Sequence, residues 1–126
     1  KFPDELRKAY LKNHPHLQKA MQTGNYVLME DATTTKLTPE EKNIVDQRQL
    51  RTVLYHPIQI REKSHGVLIL SSTETTRVFI NEELEMLQAF ANQAAHIIDN
   101  AKNYADLNMY TRELEKQIKQ REKAEK

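Results

Sequence analysis

From Leu84 onward the apolar positions of the chain fall into two stripes. One runs through Leu84, Leu87, Ala91, Ala94, Ile98, Ala101 and Ala105, and its continuation at Asn108, Arg112 and Glu115 is polar. The other runs through Met86, Phe90, Gln93, Ile97, Asn100, Tyr104, Leu107, Thr111, Leu114 and Ile118, then Arg121 and Glu125. This second stripe alternates steps of four and three throughout, which is a heptad seam. Neither Gly nor Pro occurs from Asn81 to the end, and the residues there are good helix formers. At 1.5 Å per residue the pattern predicts a helix of roughly 60 Å. The first stripe is expected to pack on the helix's own domain and to stop with it. The second is expected to face another long helix and to continue past the domain. Gln93 and Asn100 weaken such a seam but fix its register. The alternative is a lone amphipathic helix with a frayed polar end. Persistence of the phase for more than five heptads favours pairing.

Upstream, the pattern predicts shorter elements. "PDELRKAYL" suits a helix from Pro3 to Leu11, with Leu6, Tyr10 and Leu11 on one side, broken by "NHPH" at Pro15. "LQKAMQ" adds a turn or two, and Gly24 reads as its stop. Tyr26 to Met29 is a short strand, and "EDATTTKL" is loop. "TPEE" opens the next helix with Thr38 as N-cap, Pro39 at the first position and Glu41 completing a capping box. That helix carries Ile44 and Val45 and ends by about Arg51. "RTVLYHPIQIR" reads as a strand broken or bulged at Pro57, "EKSHG" as a turn, and "VLILSS" as the second arm of a hairpin.

Composition narrows the class. The 126 residues suffice for one modest domain and a tail, and 38% are hydrophobic. Mean hydropathy is −0.79, so part of the chain is a solvated element that buries little. Nineteen basic and eighteen acidic residues leave a net charge of +1, which gives no reason to expect nucleic acid or acidic lipid as partner. The absence of cysteine excludes disulfides, thiolate metal sites and thioether-linked cofactors, and it fits a reducing, cytoplasmic setting. No apolar run reaches the length of a membrane span and no signal peptide is evident. Lys1 in place of an initiating Met suggests a piece of a longer protein.

"TVLYHPIQIREKSHGVLILSS" followed by "FINEELEMLQAFANQAAHIIDNAKNYADL" resembles the C-terminal half of a GAF domain. The resemblance is carried by Pro57, Ile58, Gly66, Val67 to Leu70, Phe79, Glu82, Glu83, Leu84, Leu87, Ala91, Gln93, Ala94, Ile98 and Ala101. "LQKAMQTGNYVLMED" is similar to the segment that precedes it in the family. The resemblance spans residues 14 to 107 and implies an α+β fold, an antiparallel sheet flanked by helices with the family's N-terminal strands missing. It implies a partial sensor domain over 1–106, continued by a coiled-coil signalling helix over 107–126. With about three strands, the sheet is expected to expose an edge that ought to be covered. Ile80 stands where the family often has a capping Thr, so Asn81 is expected to cap the last helix.

By the same resemblance the chain is a non-enzymatic regulatory domain of a sensor histidine kinase or related regulator. It would pass ligand or conformational state to an output domain through a homodimer of the last helix. Family ligand-facing segments correspond to Tyr26, Leu28, Arg51, Tyr55 and His56. The ligand would be a small molecule of unknown identity. Bilin attachment needs a cysteine, and the cyclic-nucleotide signature is missing around "SSTETTRV" and Glu83–Leu84. Haem would need His56 as axial ligand, but a hydrogen-bonded strand histidine at the domain surface explains it better. His14 and His16 read as solvated loop residues without a third ligand, and His65 as a turn residue. His96 raises a phospho-acceptor helix as an alternative, but Ile97 and Ile98 follow it and no proline does. A histidine beside the packing stripes accounts for it. No phosphate loop, nucleophile elbow or metal triad is present. A purely structural dimerisation connector remains the other reading.

Overall fold

The computed structural model describes residues 10–125. A single 3-10 turn, Leu11–Asn13, leads into α1 (Pro15–Thr23), β1 (Val27–Met29), α2 (Pro39–Arg48), β2 (Leu50–Ile60), β3 (Lys63–Thr73) and α3 (Asn81–Glu125). The helix expected from Pro3 lies outside the described residues up to residue 9; Leu11 begins the 3-10 turn instead. Pro15 does not break a helix but starts one, because its fixed φ and missing N–H suit the first helical position. Gly24 ends α1 in the left-handed region at φ 71°. A Cβ there would only displace the flexible end of the Gln59 side chain, so it is the backbone conformation that calls for glycine.

The capping box of α2 is formed as the spacing predicts. Glu41 N–H donates to Thr38 Oγ1 (3.2 Å) and Thr38 N–H donates to Glu41 Oε1 (3.1 Å). The helix ends at Arg48 rather than near Arg51, because Gln49 turns the chain at φ 53° and Leu50 already belongs to β2.

The sheet is antiparallel in the order β1-β2-β3. Pro57 neither breaks nor bulges β2: it sits opposite Val67, and the register shifts fall at Leu50/Val53 and Ile58/Gln59. β1 pairs with β2 only from Val53 to Tyr55. Among the described residues the strand at Pro57 therefore has a neighbour on one side only, the edge position that proline tolerates. The hairpin turn is not "EKSHG" but the two residues Arg61 and Glu62, at φ 52° and 67°, between the paired Ile60 and Lys63. Two positive φ values are what a tight twisted hairpin demands. Ser64, His65 and Gly66 consequently lie within β3.

Alternation assigns the two faces. Val53 joins Met29, Ala32 and Val45 in one buried cluster, with Leu37, Leu50 and Tyr55 packed against it under α2. Ile58 and Ile60 join Ala91 and Ala95 of α3 in the other, flanked by Ala94 and Ile98. Thr52, fully buried, ties the sheet to the loop before α3: its hydroxyl donates to Glu30 O (2.8 Å) and accepts from Arg77 N–H (2.8 Å).

The first helical residue of α3 is Asn81, so Ile80 and not Asn81 occupies the cap position. The Ile80 carbonyl accepts from Leu84 N–H (3.1 Å), while its own N–H donates to Glu83 Oε1 (3.2 Å). The acid three residues on thus supplies the reciprocal half of a capping box. At 1.5 Å per residue α3 is about 68 Å long. Its inward stripe leaves the sheet sooner than its sequence suggests, since Ala101 and Ala105 are exposed. The sheet itself ends at the Arg61–Glu62 turn, where Arg61 Nη2 reaches Asp99 (3.4 Å) and Lys102 Nζ donates to His65 Nδ1 (2.6 Å).

Candidate functional site

Between α1, α2 and the sheet lies a cavity of about 140 Å³. Its walls are aliphatic: Leu17 from α1, Ile44 and Val45 from α2, Leu50 and Val53 from β2, and Ile69 from β3. Tyr55 adds a ring, and His14 and Glu41 are the polar members. The helices frame it because Pro15 and Thr38 each start a helix that must cover the same face of a three-stranded sheet.

Glu41 holds that frame together. It is 5% exposed, an unusual place for a carboxylate without partners. Oε1 caps α2, and Oε2 accepts from His16 Nδ1 of α1 at 2.6 Å. The His16 ring then stacks on Tyr55, centroids 6.0 Å apart and planes inclined by 20°. Burial, helped by the Glu41 charge, pushes the Tyr55 phenol up to about 12. His16 is thus a helix residue bound into the frame, not a solvated loop residue, and His14 lines the cavity.

Of the five residues expected to face a ligand, only Tyr55 lines this cavity. Arg51 lies within β2, where its guanidinium already holds an acid. Nε and Nη2 donate to the Asp31 carboxylate at 3.3 Å each, and Nη1 donates to Glu74 O at 3.0 Å. The Thr33 hydroxyl, Arg51 and the Thr33 N–H together hold Asp31 down at about 2. Tyr26 is half exposed just before β1. Leu28 alternates onto the α3 side of the sheet, opposite Leu54. His56 is buried rather than at the surface, and its Nδ1–H donates to Pro57 O at 3.1 Å. Sequence reasoning missed Glu41 and His16 because they meet across 25 residues; the capping box signals only one of the two carboxylate oxygens.

A second, more open cleft of about 280 Å³ lies between the hairpin tip and α3, lined by Gln59, Ile60 and Arg61 opposite Asn92, Ala95, His96 and Asp99. It contains the Arg61–Asp99 pair. His65 belongs to β3 and contacts Lys102, so it is not a turn residue. Among the described residues no group of three His, Asp or Glu could hold a metal ion. No described helix is long and apolar enough to cross a membrane.

The outward ridge of α3 is bare in the single chain. Met86, Phe90, Ile97, Tyr104, Leu107, Leu114 and Ile118 are between 40% and 69% exposed, and Gln93, Asn100 and Thr111 are exposed with them.

The sheet, the helices on its two faces and the long terminal helix are what the sequence resemblance implies. The family model for the GAF domain matches residues 2–98. The chain belongs to the GAF domain family. GAF domains are regulatory and sensory modules. Solved structures share the fold at low identity. One is the photoproduct state of a GAF domain from Synechocystis sp., with TM-score 0.64, 17% identity, 79% of this chain covered and 63% of that one. Another is a GAF domain/HD domain protein from Geobacter sulfurreducens, with TM-score 0.60, 20% identity and coverage of 70% and 57%. A third is a domain assigned to a two-component sensor histidine kinase protein from Sinorhizobium meliloti, with TM-score 0.57, 16% identity and coverage of 68% and 62%. This GAF chain therefore spans less than two thirds of the length of those relatives. Among curated protein sequences nothing matches it closely enough to count as a relative.

Proposed function

We propose that this GAF domain is the non-enzymatic regulatory segment of a cytoplasmic signal-transduction protein, of the sensor histidine kinase kind or a related regulator. It works as a homodimer in which two α3 helices pair in parallel along Met86, Phe90, Gln93, Ile97, Asn100, Tyr104, Leu107, Thr111, Leu114 and Ile118. A small molecule bound under α1 and α2 shifts the balance between two arrangements of the helix pair. The shift is no larger than the difference in the ligand's affinity for the two. The observation that carries the reading is the exposed apolar ridge. It keeps heptad spacing on the same helix whose other side, at Ala91 and Ala95, is packed on the sheet. Large exposed apolar stripes on soluble domains mark interaction surfaces. The apolar cavity, partly open to solvent, favours a sensor over a plain connector, which needs none.

Sedimentation equilibrium tests the pairing. The chain should sediment as a dimer, and the double variant Ile97→Asp/Leu107→Asp should sediment as a folded monomer. A wild-type chain that stays monomeric at high concentration would sink the proposal.

A further inference from the structure

The cavity between α1, α2 and the sheet narrows the ligand by size, polarity and charge. Its volume is about 140 Å³. A hydrocarbon-lined protein cavity of about 150 Å³ holds one benzene, whereas pockets for drug-sized ligands run from about 300 Å³ upward. A nucleotide, a haem or a linear tetrapyrrole would extend well outside a space of this volume.

The walls are the aliphatic side chains already named together with the Tyr55 ring, so most of any occupant's surface would meet carbon. Charge excludes most of what remains. Among the described residues no Lys or Arg lines the cavity, and an anion there would face the Glu41 carboxylate. A cation would need that carboxylate as its partner, yet both Glu41 oxygens already accept hydrogen bonds, from Thr38 and from His16. An ion brought into this apolar space would find no partner there but the His14 imidazole, which makes it costlier to bury than a neutral ring. A flat ring also suits the company of Tyr55, since aromatic pairs gain beyond the area they bury.

We propose that this cavity binds a small neutral aromatic molecule, a single six-membered ring with at most one small substituent. The proposal rests on the reading of the domain as a ligand sensor and adds the chemical class of the ligand.

The test uses the whole chain with toluene and phenol as probes. Benzoate, benzylammonium and cyclic AMP serve as comparators at equal concentration. Methyl NMR signals of Leu17, Ile44, Val45, Val53 and Ile69 should shift saturably with the two neutral rings. The same rings should raise the thermal midpoint, because a ligand of the folded state must. The charged comparators should bind at least about tenfold more weakly. Ile69→Trp, at a wall position that is itself half exposed, should fill the space and abolish the shifts while leaving the melting transition cooperative. Benzoate or cyclic AMP binding as tightly as toluene would overturn the proposal. So would methyl signals that do not move at saturating toluene.

Spin labels at Ile118→Cys separate this from the sensor reading. Toluene binding with an unchanged distance between labels would uphold the ligand class and overturn the sensor. Pairing of α3 with no binding of either neutral ring would overturn the ligand class alone.

Discussion

Between Asn81 and Asp99, α3 buries Leu87, Ala91 and Ala95 to 9% exposure or less, while from Asn100 to Ala124 every residue is exposed. Both halves carry large apolar side chains, and the outer half carries Tyr104, Leu107, Met109, Tyr110, Leu114 and Ile118. What separates them is the sheet. Ile58 and Ile60 supply a floor for the inner half, and the hairpin turns back at Arg61 and Glu62 before the outer half begins. Helix propensity is enough to continue the rod but not to bury it. Isolated helices draw little stability from propensity alone, so the outer half depends on something it can pack against.

Substitutions should divide along that line. Leu87→Ala removes a buried side chain and should lower stability to denaturant by about 2–5 kcal/mol. Leu107→Ala, measured at a concentration where the chain is monomeric, should change it by no more than about 0.5 kcal/mol. Equal effects would show that the outer half has a floor of its own. Ala91→Leu forces extra methylenes against Ile58 and Ile60 and should cost about 1–3 kcal/mol. Ala105→Leu, made in the open, should be tolerated with no measurable loss.

Smaller effects come from the polar ties that fix the inner half. Asp31 holds Arg51, and Arg51 holds the Glu74 carbonyl in the loop that leads to α3. The Asp31 carboxyl is depressed from its ordinary value of 3.8 to about 2. Its contribution is therefore complete above the ordinary value and is lost as pH falls toward 2. Acid titration of the wild type against Asp31→Asn should show this extra loss in the wild type only. Hydrogen exchange would report it near α3's start and not beyond Asn100. Tyr55 has the opposite sense: its contribution is full below 10 and is lost as pH rises toward 12, visible as a late phenol in an ultraviolet titration. Smallest is Arg61→Ala, which breaks a largely exposed pair with Asp99 and should cost about 0–1 kcal/mol.

The local rules read true where residues act on near neighbours. The Thr38–Glu41 box, the glycine stop at Gly24 and the inward stripe from Leu84 to Ile98 are all signals within one or two turns. The misreadings arose where the partner is remote or the signal atypical. Arg61 and Glu62 make a tight turn without the Gly or Asn that usually announces one, so Gly66 drew the end of the expected turn four residues too far. Pro57 looked like a strand breaker because nothing in the sequence says that β1 pairs no further along β2 than Tyr55. Ala101 and Ala105 extend the inward stripe in pattern, but the length of the sheet beneath them is set elsewhere. The cavity was illegible for the same reason: its walls come from α1, α2, β2 and β3, and only Tyr55 stood among the residues expected there.

Glu41 acts as a rivet through two helices, with one oxygen in the first turn of α2 and the other on the α1 imidazole. Separating α1 from α2 breaks that joint, so loosening of α1 and fraying of α2 at Pro39–Glu41 should rise and fall together. The anchor of one helix and the start of the other are one mechanical part.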